Sequence, residues 1–403
     1  VTNLLERIEI LLLIAAFVAM LARKLRLPYT IGLVAAGLLL GLLHVETGLT
    51  LTQELIFAAF LPPLVFEAAF FIRWSELKQV LRPVLLLATL GVAVAAGSMA
   101  VGMRYLAGWP WQAALVFGAL IAATDPVSVI ATFKEAGVTG RLRLLVESES
   151  LLNDGAAAVL FGVVLTWATG SEVTAGGVGL SILREVGGGI VIGLVVGWVL
   201  LWIAGRTEQH LVEITFTTVA AYGSFFVAQH FHASGVLSAL VCGLVMGNIG
   251  VHGAISAHGH EAVEAFWEYA AFVVNSLIFL LIGTRTAEVP LLSVVGPILL
   301  AFVLSVAGRA AGVYPLAALL SRGTHRIDAR HQHVLVWGGL RGALALALAL
   351  GLPATLPHHA EVQVVAFGVV ALSIVAQGLT MEPLLRRLGQ LPAEKPPRVA
   401  SGP

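Results

Sequence analysis

Charge is scarce in this sequence. Of its 403 residues, 23 are Lys or Arg and 23 are Asp or Glu, so charged side chains make up 11%, less than half of the roughly 25% usual in soluble domains. That scarcity excludes an ordinary soluble fold, and with a formal net charge of zero no nucleic-acid partner is expected. Cysteine is almost absent. Cys242 stands alone, which excludes an intrachain disulfide and any thiolate metal site. No Gly-x-x-x-x-Gly-Lys-Ser/Thr loop occurs, so there is no signature of nucleotide hydrolysis, and no cofactor is expected. What the chain has in abundance is hydrophobic residues, 58% of the total, with a mean hydropathy of +0.94. Apolar runs of about 20 residues, the length that crosses a hydrocarbon core, recur from end to end. The fold class is an all-α polytopic membrane protein.

Gly, Pro and charge clusters divide the chain into thirteen segments, at about 8–25, 29–44, 51–72, 83–106, 111–134, 144–169, 179–204, 210–230, 233–249, 261–284, 291–320, 333–351 and 361–385. The first, Ile8 to Leu25, lacks a basic leader and a cleavage site and reads as a membrane helix. Cytoplasmic loops should carry the excess of Lys and Arg. With the N-terminus outside and the C-terminus in the cytoplasm, only Arg7, Arg104 and Arg184 fall on the outer side, while Arg285, Arg309 and Arg341 lie in or near the membrane. The tail, residues 391–403, is Pro-rich and is expected to be disordered.

The fifth and the twelfth segments are interrupted, near 124–126 by Thr-Asp-Pro and near 338–342 by Gly-Gly-Leu-Arg-Gly. Each is the fifth of six if the seventh segment is a linker. An offset of seven is odd, so the two six-helix repeats must be inverted relative to each other. Inverted repeats with a broken helix in each half point to a secondary transporter with its site near the midplane.

The interruptions carry chemistry. Pro126 lacks an N–H and its ring clashes with the carbonyl four residues earlier, so Ala122 and its neighbours should have carbonyls left over. Such groups are tolerated in a bilayer only where they face a cavity, protein or a cation. Asp125 before Pro126 reads as an N-cap followed by proline at the first helical position, starting a second half-helix. The next segment holds Glu147, Glu149, Ser150, Asn153 and Asp154 ahead of a long apolar run, although one acid at a helix centre costs about 2.5–3.5 kcal/mol. Ser150 and Asp154 share one face, and Glu149 and Asn153 a neighbouring one. A buried Asp154 could hold either a proton or a small cation, and that competition suffices to couple two opposite fluxes. Alternatively, it only hydrogen-bonds the broken helix.

Arg341 needs an acidic partner in the membrane, and Glu149 is the first candidate. Arg285 either pairs or snorkels to the outer interface, and Arg309 has no evident partner. Glu67 follows Pro62 and Pro63, so an acid sits just past an expected kink; it belongs either to a cation pathway or to the interface near Arg73. The pairs His230/His232, His258/His260 and His331/His333 lie at segment ends without a third ligand and read mainly as solvated loop residues.

Together, "ATDPVSVIATF", "ESLLNDGAAAVLF", "FLPPLVFEAAF", "ASGVLSALVCGLVMGN", "WGGLRGALALAL" and "QGLTMEPLLRRLG" resemble, in order and over residues 61–389, the sodium/proton antiporters of the monovalent cation:proton antiporter-1 family. The resemblance implies one transmembrane antiporter domain over residues 1–390, in a homodimer in the cell membrane. Its dimerisation part would cover about 1–75 and 208–288, its ion-transporting core about 82–170 and 291–386, and its linker helix about 179–204, the core moving in elevator fashion. It implies sodium held by Asp154, Ser150, the Thr124 backbone and Glu67, with Asp125 and Asn153 in the site, a structural ion pair of Glu149 with Arg341, and Arg285 as an accessory residue. The Asn153–Asp154 pair resembles the electroneutral branch of the family. The expected activity is exchange of Na⁺ or Li⁺ for H⁺ in pH homeostasis. A potassium/proton exchanger, a channel, and an intramembrane aspartyl protease built on Asp125 and Asp154 are the alternatives, the last disfavoured because Gly-x-Gly-Asp is absent. The tail is shorter than in animal exchangers, so their regulation is not expected here, and Glu382 departs from the family pattern with no assigned consequence.

Overall fold

Two breaks in otherwise continuous helices organise the molecule. In the computed structural model, which describes residues 2–25, 27–45, 49–170, 174–250, 256–320 and 326–391, every regular element among the described residues is helical. The helices are α1 (Thr2–Leu25), α2 (Tyr29–Leu42), α3 (Leu55–Phe70), α4 (Trp74–Leu106), α5 (Trp111–Ala122), α6 (Pro126–Ala136), α7 (Arg141–Ala168), α8 (Gly176–Ala204), α9 (His210–His230), α10 (Gly235–Ile249), α11 (Ala257–Glu288), α12 (Val295–Leu319), α13 (Ala329–Trp337), α14 (Ala343–Leu350) and α15 (His359–Arg387). Counting α5 with α6 and α13 with α14 recovers the thirteen expected segments. Seven of the helices, α4, α7, α8, α9, α11, α12 and α15, are each long and apolar enough to cross a membrane. Residues 392–403, most of the expected tail, lie outside the described residues.

Helix starts depart from expectation where charge misled. α4 begins at Trp74, nine residues before the apolar run, because Leu77, Val80 and Val84 bury one stripe while the charges face outward. The kink expected near Pro62 and Pro63 is an opened turn, a π-helical stretch at Leu55–Phe60 just ahead of them. Proline removes donors and clashes with the preceding turn, and a wider turn relieves both.

Packing sorts the helices into two groups. In the first, α2 lies against α11 at glycine contacts: a Cβ on Gly37 would meet the Leu280 carbonyl carbon at 2.9 Å, and one on Gly283 would meet the Leu38 nitrogen at 2.7 Å. Small residues let the two backbones touch, which is how helices associate where lipid removes the hydrophobic drive. α3, α9 and α10 join this group through a core of Phe66, Phe70, Cys242, Met246 and Trp267, with Phe66 and Trp267 rings 4.8 Å apart. The second group packs α4 on α5 and α12, α5 on α7 and α14, and α12 on α15. α8 leans on α9 and α10.

The two breaks meet inside the second group. The Asp125 N–H donates to the Leu340 carbonyl at 2.7 Å, so backbone left over at one interruption is satisfied by the other, as a low-dielectric interior demands.

Candidate functional site

Most polar groups at the crossing are hydrogen-bonded to one another or to freed backbone. After α5 ends, Asp125 caps α6: its Oδ1 accepts from the Val127 N–H at 3.3 Å, and Pro126, with no N–H to satisfy, occupies the first helical position. The carbonyls of Ala122 and Ala123, freed as expected, accept from Arg341 Nη1 at 2.9 and 3.1 Å. Arg341 Nη2 donates to the Ser305 carbonyl at 3.3 Å, and its backbone N–H to Ser373 Oγ at 3.1 Å.

This corrects the expected ion pair. Glu149 pairs with Arg309, not with Arg341: Arg309 Nη1 and Nη2 donate to Glu149 Oε1 and Oε2 at 2.6 and 2.5 Å. Arg309 Nε also donates to the Leu335 carbonyl at 3.2 Å. The physical reason lies in the break. Orphaned carbonyls at the C-terminal end of α5 carry the negative end of its dipole, and the Arg341 guanidinium donates to them. Arg309, in an unbroken helix, takes the carboxylate fork-to-fork with its two terminal nitrogens and a last-turn carbonyl of α13, Leu335, with the third.

Asn153 joins the pair to the break. Its Oδ1 accepts from the Thr124 N–H at 3.1 Å, and its Nδ2 donates to Glu149 Oε1 at 3.2 Å and to Thr124 Oγ1. Thr124 Oγ1 also lies 3.2 Å from Ser150 Oγ. With both ends of its amide used, Asn153 acts as a strut. Asp154 differs. It is buried, and its Oδ1 has no protein partner, although buried acceptors are nearly always satisfied.

Asp154 lines a cavity of about 320 Å³ between the two helix groups. Thr124, Asp125, Gly342 and Lys134 come from one side; Glu67, Glu268 and Asn275 come from the other. Of the residues expected in the site, Thr124, Asp125, Asp154 and Glu67 therefore meet at one cavity. Ser150 and Asn153 sit behind its wall, where they hold Thr124 in place. Arg285 is elsewhere, partly exposed at the end of α11 and paired with Glu288 at 2.5 Å, and Glu382 pairs with Arg386 on the surface at 3.1 Å. His260 lies 3.0 Å from Glu264 and His333 Nδ1 2.8 Å from Tyr314 Oη.

The sequence reading passed over Lys134, Glu268 and Asn275. Glu268 and Asn275 are seven apart on α11, two turns along one face, but nothing local marks that face as lining a cavity. Gly342, which the sequence marks only as part of an interruption, is a close contact here: a Cβ there would lie 2.6 Å from Asp125 Cγ.

The sequence profile of a family described as "Sodium/hydrogen exchanger, transmembrane" matches residues 11–387. The chain belongs to the sodium/hydrogen exchanger family. It is similar to the Na(+)/H(+) antiporter ApNhaP of Aphanothece halophytica, 39% identical over 90% of this chain and 70% of that one. It is also similar to the Na(+)/H(+) antiporter NhaH of Halobacillus dabanensis, 33% identical over 95% and 98% of the two chains. These relatives are transporters, not enzymes. Among solved structures, the sodium proton antiporter MjNhaP1 of Methanocaldococcus jannaschii shares the fold, with a TM-score of 0.78, 21% identity, and 96% and 99% of the two chains covered. In this exchanger-family chain the cavity between helix groups coincides with the break that the inverted repeat predicts.

Proposed function

We propose that this chain exchanges Na⁺, and also Li⁺, for H⁺ across the cell membrane, with Asp154 as the carboxylate that the two ions share. The observation that carries the reading is Asp154, which lines a cavity between two helix groups and has an Oδ1 without a protein partner. A hard monovalent cation is bound by oxygens, and the adjoining oxygens come from Asp125, Thr124 and Glu67. Ser150, one hydrogen bond behind Thr124, completes the proposed set after a small rotation of the α6 start. Binding the cation expels the proton, and binding the proton expels the cation. The antiporter names of the relatives support the same assignment.

Exchange is electroneutral in this reading. Glu149 and Arg309 neutralise each other, Asn153 is uncharged, and one carboxylate carries one monovalent ion each way. The membrane potential, which would supply about 2.3 kcal/mol per charge per 100 mV, then contributes nothing, and the exchanger runs on gradients giving about 1.4 kcal/mol per tenfold ratio. Alternating access follows if the group holding the breaks (about 82–170 and 291–386) slides as an elevator against a dimerising group (about 1–75 and 208–288) joined through the linker helix (about 179–204). In this arrangement the chain is a homodimer, its N-terminus outside and its C-terminus cytoplasmic.

The test is counterflow in sealed proteoliposomes with an imposed pH gradient, with and without a clamped potential, for Na⁺, Li⁺ and K⁺. Na⁺-driven proton movement, insensitive to the clamp and lost in Asp154→Asn, is expected. Exchange that survives Asp154→Asn would overturn the shared-carboxylate reading; a response to K⁺ alone would reassign the cation.

A further inference from the structure

A second cavity, of about 350 Å³, is lined by none of the residues of the candidate ion site. It lies on the other side of α7, between α4 and α7 on one wall and the end of α3, α8 and α10 on the other, with Leu81, Leu85, Ala156, Ile190 and Leu240 among its lining. The lining is apolar but for Thr89 and Ser148. Thr89 is engaged with the Leu85 carbonyl at 2.7 Å. Ser148 is buried and lines this space, and its hydroxyl has no hydrogen-bond partner.

The first half of the α4 wall carries charge beside the cavity. Trp74 lines it and is half exposed, as indoles are at the bilayer interface. Lys78 and Arg82 follow Trp74 at four-residue spacing, on the same row of α4, and both are exposed. Arg73 precedes them, exposed and 3.7 Å from Glu76. From Trp74 to Thr89 the helix covers about 22 Å, against a leaflet about 15 Å deep.

We propose that this cavity holds one acyl chain of an anionic phospholipid, whose phosphate lies among Arg73, Lys78 and Arg82 and whose ester oxygen accepts from Ser148. The charge row selects the headgroup, because basic residues beside a membrane attract anionic lipid. The apolar walls take the chain without leaving an empty space, whose lining would lose its contacts. The unsatisfied hydroxyl gains the acceptor it lacks. Because the walls come from both helix groups, the lipid is seated across the surface on which they meet.

The experiment is native mass spectrometry of the full chain released from vesicles of phosphatidylglycerol and phosphatidylcholine with identical acyl chains. About one phosphatidylglycerol per chain is expected to remain bound, preferred about tenfold or more over phosphatidylcholine. Arg73→Gln with Lys78→Gln and Arg82→Gln changes only exposed positions and should abolish the preference. Ser148→Ala should lower occupancy with either lipid, and Ala156→Leu, which narrows the cavity, should do so too, each with an unchanged helical circular dichroism spectrum. Absence of a retained lipid from the wild-type protein, equal retention of the two headgroups, or undiminished binding in the triple variant would overturn the proposal.

Discussion

Replacing Arg309 by Gln removes one partner of a buried ion pair and leaves the other. Glu149 is 0% and Arg309 5% exposed, joined by two bonds at 2.5–2.6 Å. Stranding the carboxylate should cost about 3–5 kcal/mol, the range for breaking a buried pair from one side. Replacing both residues, as in Glu149→Gln with Arg309→Gln, removes the stranded charge and should recover about 2 kcal/mol or more of the summed cost. The cycle is measured as thermal or denaturant unfolding of purified protein in detergent, following intrinsic tryptophan fluorescence. A parallel cycle with Arg341→Gln supplies the control. Arg341 donates to Ala122, Ala123 and Ser305 carbonyls instead of Glu149, so its coupling to Glu149 should be weaker than that of Arg309. Melting of Arg309→Gln at the wild-type temperature, or stronger coupling of Glu149 to Arg341 than to Arg309, would refute the assignment.

Other consequences are open to direct measurement. Asp154→Asn should abolish exchange yet melt no lower than wild type, since it neutralises a buried oxygen without a partner; destabilisation by several kelvin would show that the carboxylate is structural. Gly342→Ala should cut exchange more than tenfold while preserving expression, because the new Cβ drives into Asp125 and the backbone about it is packed too tightly to yield; normal initial rates in vesicles would contradict this. If proton and cation compete for Asp154, the Na⁺ concentration for half-maximal exchange should rise about tenfold per unit of falling pH in the range where the proton is winning, as single-site linkage requires. A pH-independent value, read from initial rates at clamped internal pH, would exclude a shared site. Asn153→Ala should destabilise the protein by about 1–3 kcal/mol, since it orphans the buried Thr124 N–H and removes a donor to Glu149; unfolding identical to wild type would remove its role as a strut.

The hydrophobic runs, the two interruptions and the odd offset between them were all legible in one dimension, because each rests on local chemistry. A bilayer demands about 20 apolar residues per crossing, proline and glycine break helices wherever they stand, and Asp before Pro caps a new one; the Asp125–Val127 contact follows from that spacing alone. Asp154 could also be singled out, as an acid too costly to bury without use. The partner of Glu149 could not. Both Arg309 and Arg341 are arginines in apolar segments, and choosing between them depends on which guanidinium reaches the carbonyls freed at Ala122 and Ala123, a matter of how the two breaks cross. Likewise Glu268 and Asn275 became site residues only when α11 packed opposite α6, and Ser150 and Asn153 were set behind the cavity wall by the rotation of α7. Periodicity says which residues share a face of a helix, and the sequence by itself determined those faces here. Which faces meet, and so which carboxylate is paired and which is left to exchange its ion, was decided by tertiary packing, because side-chain pairing in a low-dielectric interior depends on distances of a few ångströms between segments remote in the chain.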